Sequence, residues 1–198
     1  MKTATNYLKT LSEIITKAQV TDNNNEHLSL DTGAKLATEM ILTAKNRSNK
    51  VIIIGNGGSA AIASHVQNDL CKAVGVKGMV FTEQPLMMAL ANDDGYETIF
   101  QSPMELWTEP EDVLISISSS GRSKNILKAT KVALENRCKV ITMTGFALDN
   151  PLRNMGHINF YLSSDVYGHV ETGHSAIAHF ITDNARSLIN DSKNSVHN

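Results

Sequence analysis

Cysteine is nearly absent from this chain of 198 residues, with 2; proline is scarce, with 4, and aromatics make up 5%. Cys71 and Cys138 lie far apart and neither sits in a CxxC pair, which argues against a disulfide framework or a cysteine zinc site. Both read as small buried hydrophobes. No charge of one sign dominates: 18 basic against 20 acidic side chains leave a net charge of -2, so nothing marks nucleic acid or an anionic membrane surface as the partner. The longest apolar runs, such as Val51-Ile52-Ile53-Ile54, fall far short of the ~20 residues of a membrane span, and the polar N-terminus lacks a signal-peptide core. A cytoplasmic location is expected. What remains is an ordinary globular composition, 41% hydrophobic and 19% charged, at a length that suits one domain.

Along the chain, residues 4–46 have helical spacing, with Tyr7, Leu8, Leu11, Ile14 and Ile15 first and Leu28, Ala34, Ala37, Met40 and Ile41 later. This predicts two helices before any strand, separated by the polar tract 21–26. The pattern then changes. Strands are predicted at 51–54, 79–81, 113–117, 140–144 and 157–161, and helices at 59–71, 85–92, 98–106, 124–136 and 170–189. Strands alternating with helices imply a five-stranded parallel sheet covered on both faces, an α/β sandwich over 50–189. Residues 1–49 form a helical arm whose apolar stripe must be buried on its own sheet or on another copy, and an oligomer is favoured. The tail 190–198 is polar enough to fray. The tyrosines, Trp107 and the methionines, including Met87 and Met88, read as core.

Two segments carry chemistry. Gly55-Asn56-Gly57-Gly58-Ser59 joins an apolar strand to a helix, where glycines let the backbone approach a ligand and Ser59 can cap the helix. With neither a Walker lysine nor GxGxxG spacing, it is equally a tight turn. Ile117-Ser118-Ser119-Ser120-Gly121-Arg122-Ser123 again links a strand to a helix, and four serines exceed what a capping loop needs. Two such loops at the carboxyl ends of parallel strands can converge on one phosphate. Arg122 reads by default as a solvated surface residue.

With the Asn92-Asp93-Asp94-Gly95-Tyr96 segment included, these motifs and their order resemble the sugar isomerase (SIS) domain of the phosphoheptose isomerases. The resemblance implies a flavodoxin-like fold, a homotetramer and one zinc ion per subunit at the subunit interface. It also implies conversion of sedoheptulose 7-phosphate to D-glycero-D-manno-heptose 7-phosphate, early in ADP-heptose synthesis for lipopolysaccharide or capsule. Asn56, Gly57, Gly58, Ser59, Asn92, Asp93, Ser118, Ser119, Ser120, Ser123 and Glu171 are then the substrate-binding residues. Asp69 and His179 become the catalytic pair, and His65, Asp69, Glu171 and His179 the metal ligands. Two positions depart from the family: Asp69 stands in place of a glutamate, and Glu171 in place of a glutamine. Alternative readings are isomerisation of a different phosphosugar and a non-catalytic SIS phosphosugar-binding protein, such as a replication-initiator-associating protein.

The residues add their own constraints. His65 and Asp69, four apart, share a helix face and can bind a metal, although such pairs are common on surfaces. Glu171 and His179 are eight apart, ~12 Å along a straight helix, so both cannot ligate one metal from one intact helix. Either that helix starts later or two chains contribute. His169 and His174 are read as interface or capping residues. Aldose–ketose isomerisation through an enediol needs a base to move a proton between C1 and C2; Asp69 is assigned as that base or as a metal-bound carboxylate, and His179 as the partner acid/base or ligand. Asp69 is one methylene, ~1.5 Å, shorter than glutamate, which leaves Glu171 as a second carboxylate for the role.

Overall fold

The run Val51-Ile52-Ile53-Ile54 forms the middle of strand β3 (Lys50–Gly55), and all four side chains are buried because both faces of the sheet are covered. A computed structural model describes residues 3–195. Strand β3 pairs in parallel with β4 (Lys77–Val80) on one side and β5 (Val113–Ser118) on the other. The parallel ladder continues through β6 (Lys139–Thr144) to β7 (Ile158–Tyr161). These are the five strands that the apolar runs predict. Two more follow beyond β7, where β1 (Gln19–Asp22) pairs antiparallel with β7 and with β2 (His27–Leu28). The sheet therefore has seven strands, in the order β2-β1-β7-β6-β5-β3-β4.

This hairpin corrects the expectation of two helices before any strand. Its turn is built by the polar tract itself: Asp22 Oδ1 accepts the amides of Asn24 at 2.8 Å and Glu26 at 2.9 Å, and Asn25 adopts φ 61°. Val20 then drops into the core, fully buried, against Gly33, where a Cβ would lie 3.4 Å from that of Val20. One buried valine among polar residues leaves almost no alternation to read.

Alternation along the central strands divides the core in two. Val51, Ile53, Val113, Ile115, Ile117 and Ile141 face α2 (Leu30–Asn46), α3 (Gly58–Asp69) and α7 (Tyr167–Ser195). Ile52, Ile54, Leu114 and Val140 face α5 (Gln101–Trp107) and α6 (Lys124–Glu135). Helix α2 belongs to the sandwich, since Ala34, Ala37, Ile41 and Ala44 bury its stripe on the chain's own sheet. The expected arm is thus reduced to α1 (Ala4–Thr16), which buries only Leu11. The last helix runs on to Ser195, so the expected fraying from residue 190 does not occur as far as that; 196–198 lie outside the described residues.

Several residues expected in the core lie at the surface, the tyrosines Tyr7, Tyr96 and Tyr167 among them. Helix α4 (Gln84–Asp93) has no buried residue, which leaves Met88 65% exposed, and Trp107 ends α5 at 50% exposure. Cys71 is exposed on the π-helical turn 70–74 that follows α3, its thiol 3.6 Å from the Gly78 carbonyl; Cys138 is buried as expected. Among the described residues, no helix is long and apolar enough to cross a membrane.

Candidate active site

Both glycine- and serine-bearing loops leave the carboxyl ends of adjacent parallel strands, β3 and β5, and so meet above the sheet. The first turns sharply: a Cβ on Gly55 would lie 2.7 Å from the Ser59 carbonyl, and Gly57, at φ 52°, is the N-cap of α3. Ser59 is therefore not the cap it was expected to be; it lies inside the first turn, buried. In the second loop Ser118 Oγ accepts the Gly121 amide at 3.2 Å and Ser120 Oγ accepts that of Arg122 at 3.3 Å. Each hydroxyl still has its O–H to donate. Ser119 Oγ is buried with no protein partner, which suits a loop that closes on an anion. Arg122 turns outward to Asp149, 2.7 Å away.

Between the loops lies a cavity of about 280 Å³, lined by Asn56, Gly57, Gly58 and Ser59 from the first loop and Ser118, Ser119, Ser120 and Ser123 from the second. Tyr167 and Glu171 of α7 complete it. Asn56 is held in place by a two-way amide pair with buried Asn125, at 2.8 and 3.0 Å, and by the Tyr96 hydroxyl at 3.2 Å. Asn125 and Tyr167 had no functional signal in the sequence, and Tyr96 entered only as the last residue of the Asn92–Tyr96 segment, because the partner that gives it a role, Asn56, lies 40 residues away. Asn92 and Asp93 do not line the cavity. They are exposed at the end of α4, where Asn92 Nδ2 donates to Asp93 Oδ1 at 2.7 Å, and this segment reaches the cavity only through Tyr96.

The second group gathers where α3 ends against α7. His179 Nδ1 lies 3.1 Å from Asp69 Oδ2, His65 Nε2 lies 4.0 Å from Asp69 Oδ1, and the two imidazoles meet edge to face at 4.6 Å. One donor atom from each falls within 4.8 Å of the others, a spacing at which one ion can bind all three. Two imidazoles and a carboxylate are a donor set that would suit zinc. Glu171 is not in this group. Helix α7 begins at Tyr167, so the idea of a later start fails, and Glu171 and His179 sit on one intact helix. The Glu171 carboxylate lies against Gly58 instead, at the other end of α3.

His174, between them on α7, is fully buried, its Nε2 3.0 Å from the Thr144 carbonyl and its Nδ1 unpaired. It ties the helix to the end of β6. Burial pushes its pKa down to about 4, and the bond to Thr144 opposes this only in part. A pKa below its unfolded value of 6.5 means stability that is complete above pH 6.5 and lost as pH falls toward 4. The loss amounts to on the order of 3 kcal/mol. Urea midpoints at pH 7 and pH 4.5 should show it, and the His174 ring proton should titrate far below 6.5; titration near 6.5 refutes the assignment.

A family model, the SIS domain, matches residues 6–145. The phosphoheptose isomerase of Geotalea daltonii is 30% identical over 178 residues, covering 87% of this chain and 91% of its own. That of Trichlorobacter lovleyi is 33% identical over 156 residues, covering 76% and 79%. Among solved structures, a phosphoheptose isomerase from Francisella tularensis superposes with a TM-score of 0.78 at 23% identity, over 92% of this chain and 96% of that one. With two loops on adjacent strands, a serine-lined cavity between them and these relatives, the chain belongs to the SIS domain family, among the phosphoheptose isomerases.

Proposed function

We propose that the protein is a sugar-phosphate isomerase that converts sedoheptulose 7-phosphate to D-glycero-D-manno-heptose 7-phosphate, the first step of ADP-heptose synthesis for lipopolysaccharide or capsule. The observation that carries the reading is the Asp69–His179 pair at 3.1 Å on a scaffold that also builds a serine-lined anion cavity. In the reaction, Asp69 takes a proton from C1 of the ketose and returns it to C2, while His179, 3.1 Å from the carboxylate, moves the hydroxyl proton from O1 to O2. Ser119, Ser120 and Ser123 donate to the phosphate, and Asn56 offers its amide to the sugar. His65, Asp69 and His179 are the residues that would hold zinc, which when bound supplies a Lewis acid for the carbonyl oxygen.

Distances within one chain support a shared site. Asp69 is 11 residues beyond Gly58, about 16 Å along α3, whereas a heptose phosphate spans only roughly 10 Å from C1 to phosphorus. A second copy of the chain would then supply one half of each site, in keeping with a homotetramer and with α1 and α4 presenting apolar side chains to solvent. Turnover should fall with dilution below the assembly constant, and dissociated monomers that keep full turnover would refute this.

The direct test follows C1 and C2 of sedoheptulose 7-phosphate by NMR, before and after chelation. Conversion that chelation abolishes and zinc restores is expected. Saturable binding without conversion would replace the enzyme by a sensor of the same sugar.

A further inference from the structure

Among the described residues, Glu171 is the one charged side chain lining the serine-bearing cavity. Its carboxylate packs on the Gly58 backbone: a Cβ there would lie 2.5 Å from both Cδ and Oε1, so a side chain at position 58 would have to displace Glu171. This is the start of α3, and α3 provides nothing of its own to meet the positive end of its dipole. Its first turn contains no acidic residue, and its N-cap, a glycine, makes no side-chain hydrogen bond. The amides of Ser59, Ala60 and Ala61 are turned onto the Asn56 and Gly57 carbonyls. The counter-charge comes from α7, as Glu171.

An anion entering the cavity therefore finds one of its two favourable seats taken by the protein's own carboxylate. The other seat, the loop of Ser118, Ser119, Ser120 and Ser123, has an unpaired buried hydroxyl and no formal charge. One phosphate can settle there. A second anionic group on the same ligand must then face Glu171, at short range and in partly water-excluded surroundings, where like charges repel strongly. Sugar hydroxyls, by contrast, can donate to the carboxylate.

We propose that Glu171 is a specificity-determining residue, an internal anion at the start of α3 that restricts the site to uncharged polyhydroxy chains bearing a single phosphate. The inference rests on the serine loop being the phosphate seat of a sugar-phosphate isomerase. Its test is a set of affinities measured by titration calorimetry at fixed ionic strength, for the full-length protein and for Glu171→Gln, which keeps shape and removes charge. The probes are inorganic phosphate, an aldose 6-phosphate and the matching aldonate 6-phosphate, which differs only by a carboxylate at C1.

The unaltered protein should bind the aldose phosphate at least tenfold more tightly than the aldonate phosphate. Glu171→Gln should shrink that ratio at least fivefold and bind inorganic phosphate severalfold more tightly. Glu171→Asp, which keeps the charge, should preserve the discrimination. An unchanged ratio in a folded Glu171→Gln protein overturns this inference and leaves the isomerase intact. Inorganic phosphate that binds neither protein overturns the phosphate seat, and both readings with it.

Discussion

Asp69→Asn should lower turnover of the sugar phosphate by about 10²–10⁴-fold, the range in which removal of a positioned general base usually falls. The substitution is isosteric, and the amide oxygen can still accept the hydrogen bond that His179 Nδ1 gives the carboxylate at 3.1 Å. What it cannot do is take a proton from carbon. Stability should hardly change, because the Asp69 side chain is 20% exposed and its ion-pair partners, the two imidazoles, are more exposed still. The check is kcat from C1 and C2 resonances together with a thermal midpoint. Full turnover by the folded variant would take the base role away from Asp69. Loss of turnover with a large fall in midpoint would make the residue structural.

The largest effect on the fold around the site is expected from Gly121→Ala. Gly121 holds φ at 60° in the middle of the serine loop, and an added Cβ would lie 2.9 Å from Asn150 Cβ and closer still to its carboxamide. That carboxamide cannot simply move aside, since it donates to the Ala147 carbonyl at 2.9 Å and accepts the Arg153 amide at 3.1 Å. Left-handed strain and overpacking together should cost roughly 2–4 kcal/mol. The loop carrying Ser118, Ser119, Ser120 and Ser123 should shift with it. Chemical denaturation measures the first effect and inorganic phosphate affinity the second. An unchanged denaturation midpoint would show that the loop has slack the packing denies it.

How much of this was legible depends on the range of the interaction. The central parallel strands were readable because each is a short apolar run buried on both faces, and the serine loop because four hydroxyls in six residues exceed any capping need. Hairpin β1–β2 was not, since a single buried valine anchors it. The surface positions of Met88 and Trp107 follow from α4 burying none of its residues and from Trp107 lying at the C-terminal end of α5, which residue type does not report. His65 and Asp69 were paired by helical spacing alone. That His179 joins them while Glu171 does not could be narrowed to alternatives by counting residues, but not decided.

The sequence by itself determined the layer order of the sandwich, the loops on β3 and β5, and the helix face shared by His65 and Asp69. All of these are set within one strand–loop–helix unit, where chain periodicity and turn chemistry act over a few residues. Only the tertiary structure decided which end of α3 each residue of α7 would meet. Helix α7 lies across α3 so that His179 reaches Asp69 at one end while Glu171 rests on Gly58 at the other. That register is fixed by the packing of two helices on one sheet face, a property of their shared core that neither segment carries alone.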